Sequence, residues 1–211
     1  MRPRLVLASG SPRRRQLLSE AGYEFEVVSA PVEELSHDWV SARELTIWNA
    51  ARKATAACKM APNAVLLAAD TLVAIDGEVL GKPADFEDAV EILRRLSGRA
   101  HEVWTAVRLV DPARRRSRSF HEMSRVHFRS LDDRAIRNYL EKIDPLDKAG
   151  AYSIQGEGRA LIESIRGDYL AAVGLPLKPI ADYLKSRGIS VPSDVDKLYS
   201  DKSFLNWKSF A

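Results

Sequence analysis

Apolar positions along this chain follow two periods, one strand-like and one helical. Leu5-Val-Leu-Ala8 is a short apolar run followed by turn residues, which reads as a buried strand. Ser9-Gly-Ser-Pro12 forms the turn, and Pro12 suits the first position of a helix that runs to about Ala21 and stops at Gly22. Glu24 to Ser29 alternates as a second strand, and a long helix follows from about Ser41 to Met60. Ala64 to Ala69 is the most apolar strand and ends at Asp70-Thr71. Leu72–Ile75 and Glu78–Leu80 flank Asp76-Gly77, a pair suited to a two-residue hairpin turn. Asp85 and Gly98 bracket a helix over Asp85 to Leu96. His101 to Asp111 and Ser117 to Arg129 read as long strands joined at Asp111-Pro-Ala113. A helix over Asp132 to Lys142, short strands around Tyr152 to Gln155 and Ala160 to Ile165, and a helix over Pro176 to Ser186 complete the pattern. Strand–helix alternation followed by a meander predicts the α/β class, mixed with α+β. The expected architecture is a twisted mixed sheet flanked by helices.

Composition narrows the class. At about 100–200 residues per domain, 211 residues make one domain, with room for at most two lobes. Apolar residues at 45% and charged residues at 29% describe a folded chain with a sizeable core. A net charge of +3 is too small to propose a nucleic-acid or membrane partner. The single cysteine, Cys58, excludes an internal disulfide and any multi-cysteine zinc site, and it fits a reducing compartment. The Ala64–Ala69 run is far too short to cross a bilayer. The opening MRPRLVLASG loses its apolar character at Ser9 and is not a secretory signal, so a cytoplasmic protein is expected. The division expected is a domain over 1–189 and a tail over 190–211. The tail is polar, yet it carries Tyr199, Phe204, Trp207 and Phe210, so docking on the body or on a second copy in a homodimer is expected.

Candidate chemistry concentrates in a few segments. Ser9-Gly10-Ser11-Pro12-Arg13-Arg14-Arg15 follows a strand and opens a helix. Free backbone N–H groups, a glycine and clustered guanidinium groups make a cradle for phosphates. Three cations at a helix N-terminus oppose the macrodipole, so an anionic partner is expected there. Arg114-Arg-Arg116 with Arg118 sits at a hairpin tip without a glycine cradle and reads as a solvated turn. Asp70 is costly to bury unless it is paired or metal-bound, and it is expected to act as a proton acceptor, a metal ligand, or both. Lys82, between Gly81 and Pro83, can reach a phosphate, and Lys53 lies on a helix face of small residues. Glu33 and Glu34 can supply a second carboxylate, with Glu33 taken as the further metal ligand. Gln155, before Gly156, can read a base edge with its paired donor and acceptor. His37, His101, His121 and His127 lack metal-ligand spacing, and no Ser–His–Asp order or Walker-type loop is present.

Several of these segments, in order, resemble the Maf family of nucleotide pyrophosphatases. The matching residues are Leu7-Ala-Ser-Gly-Ser-Pro-Arg-Arg14, Arg52-Lys-Ala54, Ala69-Asp-Thr71, Leu80-Gly-Lys-Pro83, Leu96-Ser-Gly98, His101-Glu-Val103, Thr105, Asp147-Lys-Ala-Gly-Ala-Tyr152, Ile154-Gln-Gly156 and Val173-Gly-Leu-Pro-Leu177. The resemblance implies hydrolysis of a nucleoside triphosphate to the monophosphate and pyrophosphate. It also implies a divalent cation, Mg²⁺ or Mn²⁺, and a cleft between two lobes. Ser9, Ser11, Arg13, Arg14, Lys53 and Lys82 are then the phosphate-binding set. Arg13, Thr71 and Gln155 match the branch acting on dTTP and UTP. The branch acting on 7-methyl-GTP usually has Trp, Gln and Ser-Glu-Gly at the corresponding places. The alternatives are that second branch and a non-catalytic nucleic-acid or division-machinery binding protein on the same fold.

Overall fold

Alternating apolar stretches bury both faces of the central strands and polar breaks return the chain, so a mixed sheet forms with helices on either side. The computed structural model describes residues 3–29, 31–35, 39–190, 194–204 and 206–210. Seven strands form one sheet in the order β2-β1-β3-β5-β6-β7, with β4 also paired to β3. They are β1 (Arg4–Ala8), β2 (Glu26–Val27), β3 (Ala64–Ile75), β4 (Glu78–Leu80), β5 (Ala100–Asp111), β6 (Arg116–Phe128) and β7 (Ile162–Arg166). Both partners of β1 run parallel to it, and every other pairing is antiparallel. The helices are α1 (Pro12–Glu20), α2 (Ala42–Met60), α3 (Phe86–Leu96), α4 (Asp133–Leu140), α5 (Tyr169–Val173), α6 (Leu177–Ser186) and α7 (Val195–Asp201).

Side chains alternate across the pleat, which divides the core. Leu5, Leu7, Val65, Leu67, Val103 and Val107 face the larger cluster, built with α1 and α3–α6. Val6, Ala8, Leu66 and Ala68 face Ala54 and Ala57 of α2. Local chemistry sets the helix starts. Ser41 and Glu44 form a reciprocal capping box on α2, and the side chains of Asp85 and Asp132 cap α3 and α4.

Five elements differ from the sequence expectation, one of them α7, a helix in the stretch expected only as a polar tail. The apolar strand does not end at Asp70; β3 runs through it, because Asp70 and Thr71 keep their ladder to Ala106 and Thr105 of β5. The second strand shrinks to Glu26–Val27. Tyr152–Gln155 is not a strand but lies between 3-10 turns at Ala149–Ala151 and Gly156–Ala160, where Gly150 and Gly156 hold positive φ. The short α5 was not anticipated, since five residues are too few to show a period. Within the tail, Phe204 is 2% exposed and belongs to the larger core cluster, so this segment docks on its own body. No helix among the described residues is long and apolar enough to cross a membrane.

Candidate active site

A gap in one edge of β3 creates the site. β5 pairs with one edge of β3 from Leu66 to Ala74. The opposite edge pairs with β1 up to Ala68 and with β4 only from Val73 onward. Between those two partners lie Ala69 to Leu72. Because β1 ends at this gap, the Ser9–Ser11 turn and the start of α1 open onto it. The cavity there measures about 720 Å³. One wall is formed by the β1–α1 turn, Ser29, Val32, Glu34, Leu35 and α2. The other is formed by Gly81-Lys82 and the stretch from Asp147 to Gln155.

Asp70 is the buried carboxylate of this cavity, 3% exposed. Lys53 Nζ donates to Asp70 Oδ1 at 2.6 Å and to Glu34 Oε1 at 2.6 Å, so one ammonium draws two carboxylates together. Asn49 Nδ2 donates to the other Asp70 oxygen at 3.2 Å. Asn49 and Lys53 stand four residues apart on α2, hence on one face of it. Asn49 also accepts from the Leu35 N–H at 2.8 Å and donates to the Leu35 carbonyl at 3.3 Å, which fixes the loop carrying Glu34. Partial burial alone would raise the Glu34 carboxyl. The hydrogen bond and charge of Lys53, with Lys82 and Arg14 beyond, hold it below the usual carboxylate value.

A second network runs behind the arginine-rich start of α1. Arg14 is 8% exposed. Its guanidinium donates to the Gly174 carbonyl at 3.2 Å, Ser9 Oγ at 3.0 Å and Thr71 Oγ1 at 2.9 Å. Burial lowers its pKa, against the raising effect of the Asp70 charge. Thr105 Oγ1 donates to the Ala171 carbonyl at 2.8 Å. Its only proton is thereby used, so Thr71 donates the 2.9 Å bond between the two hydroxyls. The relay Arg14→Thr71→Thr105→Ala171 therefore has one direction. A side chain at Gly174, where φ is 140°, would put Cβ 3.4 Å from Arg14 Cγ and Nε, so glycine admits the guanidinium here.

The wall opposite carries Gln155. Its Nε2 is buried and has no hydrogen-bond partner, an open donor in the lining of the cavity. Its loop is tightly wound. A Cβ on Gly158 would lie 1.5 Å from the Ser153 carbonyl oxygen, so only glycine fits. Tyr139 Oη accepts from the Ser153 N–H at 2.9 Å. Tyr152 Oη and His101 Nε2 are hydrogen-bonded, 2.7 Å apart.

The structure brings Ser9, Ser11, Arg13, Arg14, Lys53, Asp70, Thr71, Lys82 and Gln155 around this one cavity. Arg13 is half-buried and Lys82 is exposed. The start of α1 has no acidic residue in its first turn, and no side chain caps it. Glu33 is placed elsewhere: it is exposed and lines a separate shallow depression with Arg52 and Lys59, while its neighbour Glu34 faces the cavity. Arg114, Arg116 and Arg118 stay at the β5–β6 hairpin, away from the cavity lining, and Arg114 pairs with Asp111 at 3.1 Å. His37 lies outside the described residues. Among the described residues no group of three or more His, Cys, Asp or Glu side chains converges as a metal site. Sequence reasoning gave no role to Asn49, Thr105 or Gly174, although Thr105 and Gly174 stand among the residues that carry the family resemblance. The four-residue step from Asn49 to Lys53 was the available signal for the first. The roles of the other two have no local signal, since they act on residues far away in the chain.

Comparison with known proteins gives the family. The model of the Maf family, described as Maf-like protein, matches residues 4–187. A dTTP/UTP pyrophosphatase of Pelotomaculum thermopropionicum is 44% identical over 187 residues, covering 89% of this chain and 98% of that protein. A dTTP/UTP pyrophosphatase of Bdellovibrio bacteriovorus is 43% identical over 189 residues, covering 87% and 98%. One from Hahella chejuensis is 44% identical over 196 residues, covering 92% and 96%. Among solved structures, the Staphylococcus aureus Ham1 protein aligns over 59% of this chain and 71% of that one, with a TM-score of 0.43 at 16% identity, and it adds nothing to the assignment. With a family match over nearly the whole body and relatives above 40% identity that it spans almost end to end, the chain belongs to the Maf family.

Proposed function

We propose that this chain hydrolyses dTTP and UTP, and pyrimidine nucleotides modified on the same base frame, to the monophosphate and pyrophosphate. The observation that carries the reading is Asp70, buried at the β3 gap and held by Lys53, beside an uncapped helix start rich in arginine. The names of the curated relatives support the substrate class. The α1 N–H groups, Ser9, Ser11, Arg13 and Lys82 receive the phosphates. Arg14 contributes its charge from behind, since three protein acceptors hold its guanidinium.

The donor set fits a divalent cation such as Mg²⁺ or Mn²⁺, which takes one or two carboxylates and completes its shell with phosphate oxygens. Asp70 and Glu34, drawn together on Lys53, would hold it, and Glu33 stands outside this set. When bound, the cation screens the triphosphate charge and acidifies water. Asp70 is then the proton acceptor for the water that attacks the α-phosphorus. The bond to the bridging oxygen breaks, and pyrophosphate leaves with its charge met by Arg13 and Lys82. Lys53 orients Asp70 through the 2.6 Å bond to Oδ1. Thr71 shapes the pocket through Arg14, because its own proton is given to Thr105.

Base recognition rests on Gln155. Its unpartnered amide can give a hydrogen bond to a ring carbonyl of uracil or thymine and accept from N3–H. Cytosine presents a different donor and acceptor pattern, which leaves buried polar groups unpaired. The single cysteine fits a reducing compartment, and we assign the protein to the cytoplasm. The test is a panel of nucleoside triphosphates with Mg²⁺ or Mn²⁺, read as pyrophosphate release. Wild type should favour dTTP and UTP, and Gln155→Glu, which lacks the amide donors, should lose that preference. An unchanged ratio of UTP to CTP and GTP turnover in the variant places base reading elsewhere.

A further inference from the structure

The family match ends at residue 187, yet the tail beyond it reaches the back of two cavity walls. Its first contact is with α5. Tyr199 Oη donates to Asp168 Oδ2 at 2.7 Å. The other oxygen of Asp168 caps α5 by accepting from the N–H groups of Leu170 at 2.8 Å and Ala171 at 3.2 Å. Trp207 stacks on Tyr169, the first residue of α5, with ring centroids 5.2 Å apart and planes 13° from parallel. Tyr199 meets the same Trp207 ring edge-on at 5.1 Å, and Lys178 lies 4.7 Å from the centre of the Tyr199 ring. α5 has only five residues, so what steadies one end steadies the other. Midway along it the Ala171 carbonyl accepts from Thr105, and just past its far end the Gly174 carbonyl accepts from Arg14.

The second contact is with the loop that carries the base-reading amide. Asn206 Nδ2 donates to the Gly156 carbonyl at 3.1 Å, one residue beyond Gln155. Gly156 itself holds φ +62°, and a Cβ there would meet nothing within 4 Å, so no side chain packs against this residue of the turn. The Asn206 bond supplies a constraint from the tail. Asn206 itself holds φ 64°, a left-handed conformation that asparagine adopts more readily than most residues.

We propose that the tail is a positioning brace for the nucleotide site: Asn206 sets the Gln155–Gly156 turn, and Tyr199 with Trp207 sets α5 and, through it, Arg14 and Thr105. None of the three touches substrate; each acts through the wall it holds. The inference rests on the pyrimidine-nucleotide reading, and its test separates the two. Asn206→Gly keeps the left-handed backbone accessible and removes the donor. Asn206→Asp keeps the shape and sets a carboxylate against a carbonyl. Calorimetric Kd values for non-hydrolysable α,β-imido UTP and its cytidine counterpart are compared with wild type, together with UTP turnover and Tm.

Losing the bond should weaken binding of the uridine analogue about three- to tenfold and narrow its advantage over the cytidine analogue, more so for Asn206→Asp. The turnover loss should fall on KM rather than kcat, with Tm nearly unmoved. Unchanged Kd values and an unchanged uridine-to-cytidine ratio overturn the brace. So does an equal loss on both analogues that tracks a lower Tm, since that is a purely structural role. If wild type binds the uridine analogue without releasing pyrophosphate from UTP, the pyrophosphatase reading falls while the Kd ratios still decide the brace. If wild type binds neither analogue, both fall.

Discussion

At the scale of single residues, charge placement separates working side chains from solvated ones. Asp70 carries the reaction in our reading, and an asparagine there keeps its size and one of its two acceptor oxygens. Asp70→Asn should therefore lower turnover by about 10²–10⁴-fold while leaving the fold intact. Steady-state kinetics beside a thermal melt checks this, and a variant with near wild-type kcat removes Asp70 from the chemistry. The arginine-rich tip offers the contrast. Arg115 is exposed at the β5–β6 turn, whereas Lys82 stands at the cavity. Lys82→Ala should depress kcat/KM for UTP at least tenfold, in line with a charge-assisted bond to phosphate, and Arg115→Ala should stay within about twofold of wild type, as surface substitutions do. A larger effect at Arg115 reverses the division between cradle and solvated run. Much of this scale is legible in sequence, because a carboxylate in an apolar run and arginines at a helix start are unusual locally. The choice of Glu34 over Glu33 is not: neighbours on an irregular loop differ only in which one faces Lys53.

At the scale of elements, two pieces of backbone make the site. β3 outlasts its first partner, and the edge left open between β1 and β4 becomes the floor of the cavity. Beside it, β5 holds the Tyr152 loop through His101. Burial of His101 lowers its pKa to about 3, with the charge of His127 adding to the effect. The sign follows from proton linkage. In the unfolded chain this imidazole titrates near its ordinary value of about 6.5 and in the folded chain only near 3, so the unfolded state binds more protons between these values. The neutral ring's contribution is complete above about pH 6.5 and is lost progressively as pH falls toward 3. Urea denaturation from pH 7.5 to 5 should show stability falling with acidification, by at most about 1.4 kcal/mol per pH unit from this group. His101→Gln, which can still pair with Tyr152, should flatten that slope. Equal slopes in the two proteins deny His101 the role. His101 itself is visible in the sequence, but its partner 51 positions away is not.

At the scale of the whole molecule, the tail and the body share one core. Phe204 is 2% exposed and packs in the same cluster as α5 and α6. Phe204→Ala should cost about 3–5 kcal/mol, the range for deleting a buried aromatic ring. Denaturant melts should remain single transitions, with tryptophan fluorescence and far-UV circular dichroism coincident. A cost below about 1 kcal/mol, or fluorescence changing ahead of the dichroism, makes the tail a peripheral appendage. The same reasoning explains four aromatics in an otherwise polar terminus. Phe204 is buried, Trp207 and Phe210 stack on Tyr169, and Tyr199 reaches the α5 cap.

The sequence by itself determined what depends on neighbours a few residues apart. The two-residue and 3.6-residue periods place the long strands and helices, Asp-Gly sets the β3–β4 turn, and Asp and Ser side chains start the helices they cap. The Ser-Gly-Ser-Pro-Arg turn also marks, without any structure, the helix start that we propose receives the phosphates. Only the tertiary structure decided which edge of β3 stays open, that Arg14 is buried against Gly174, that Thr105 completes the hydroxyl relay, and that Asn206 reaches Gly156. Those contacts join residues 160, 34 and 50 positions apart. No local period encodes them, because they exist only once burial of the two sheet faces has brought distant turns to the same end of the molecule.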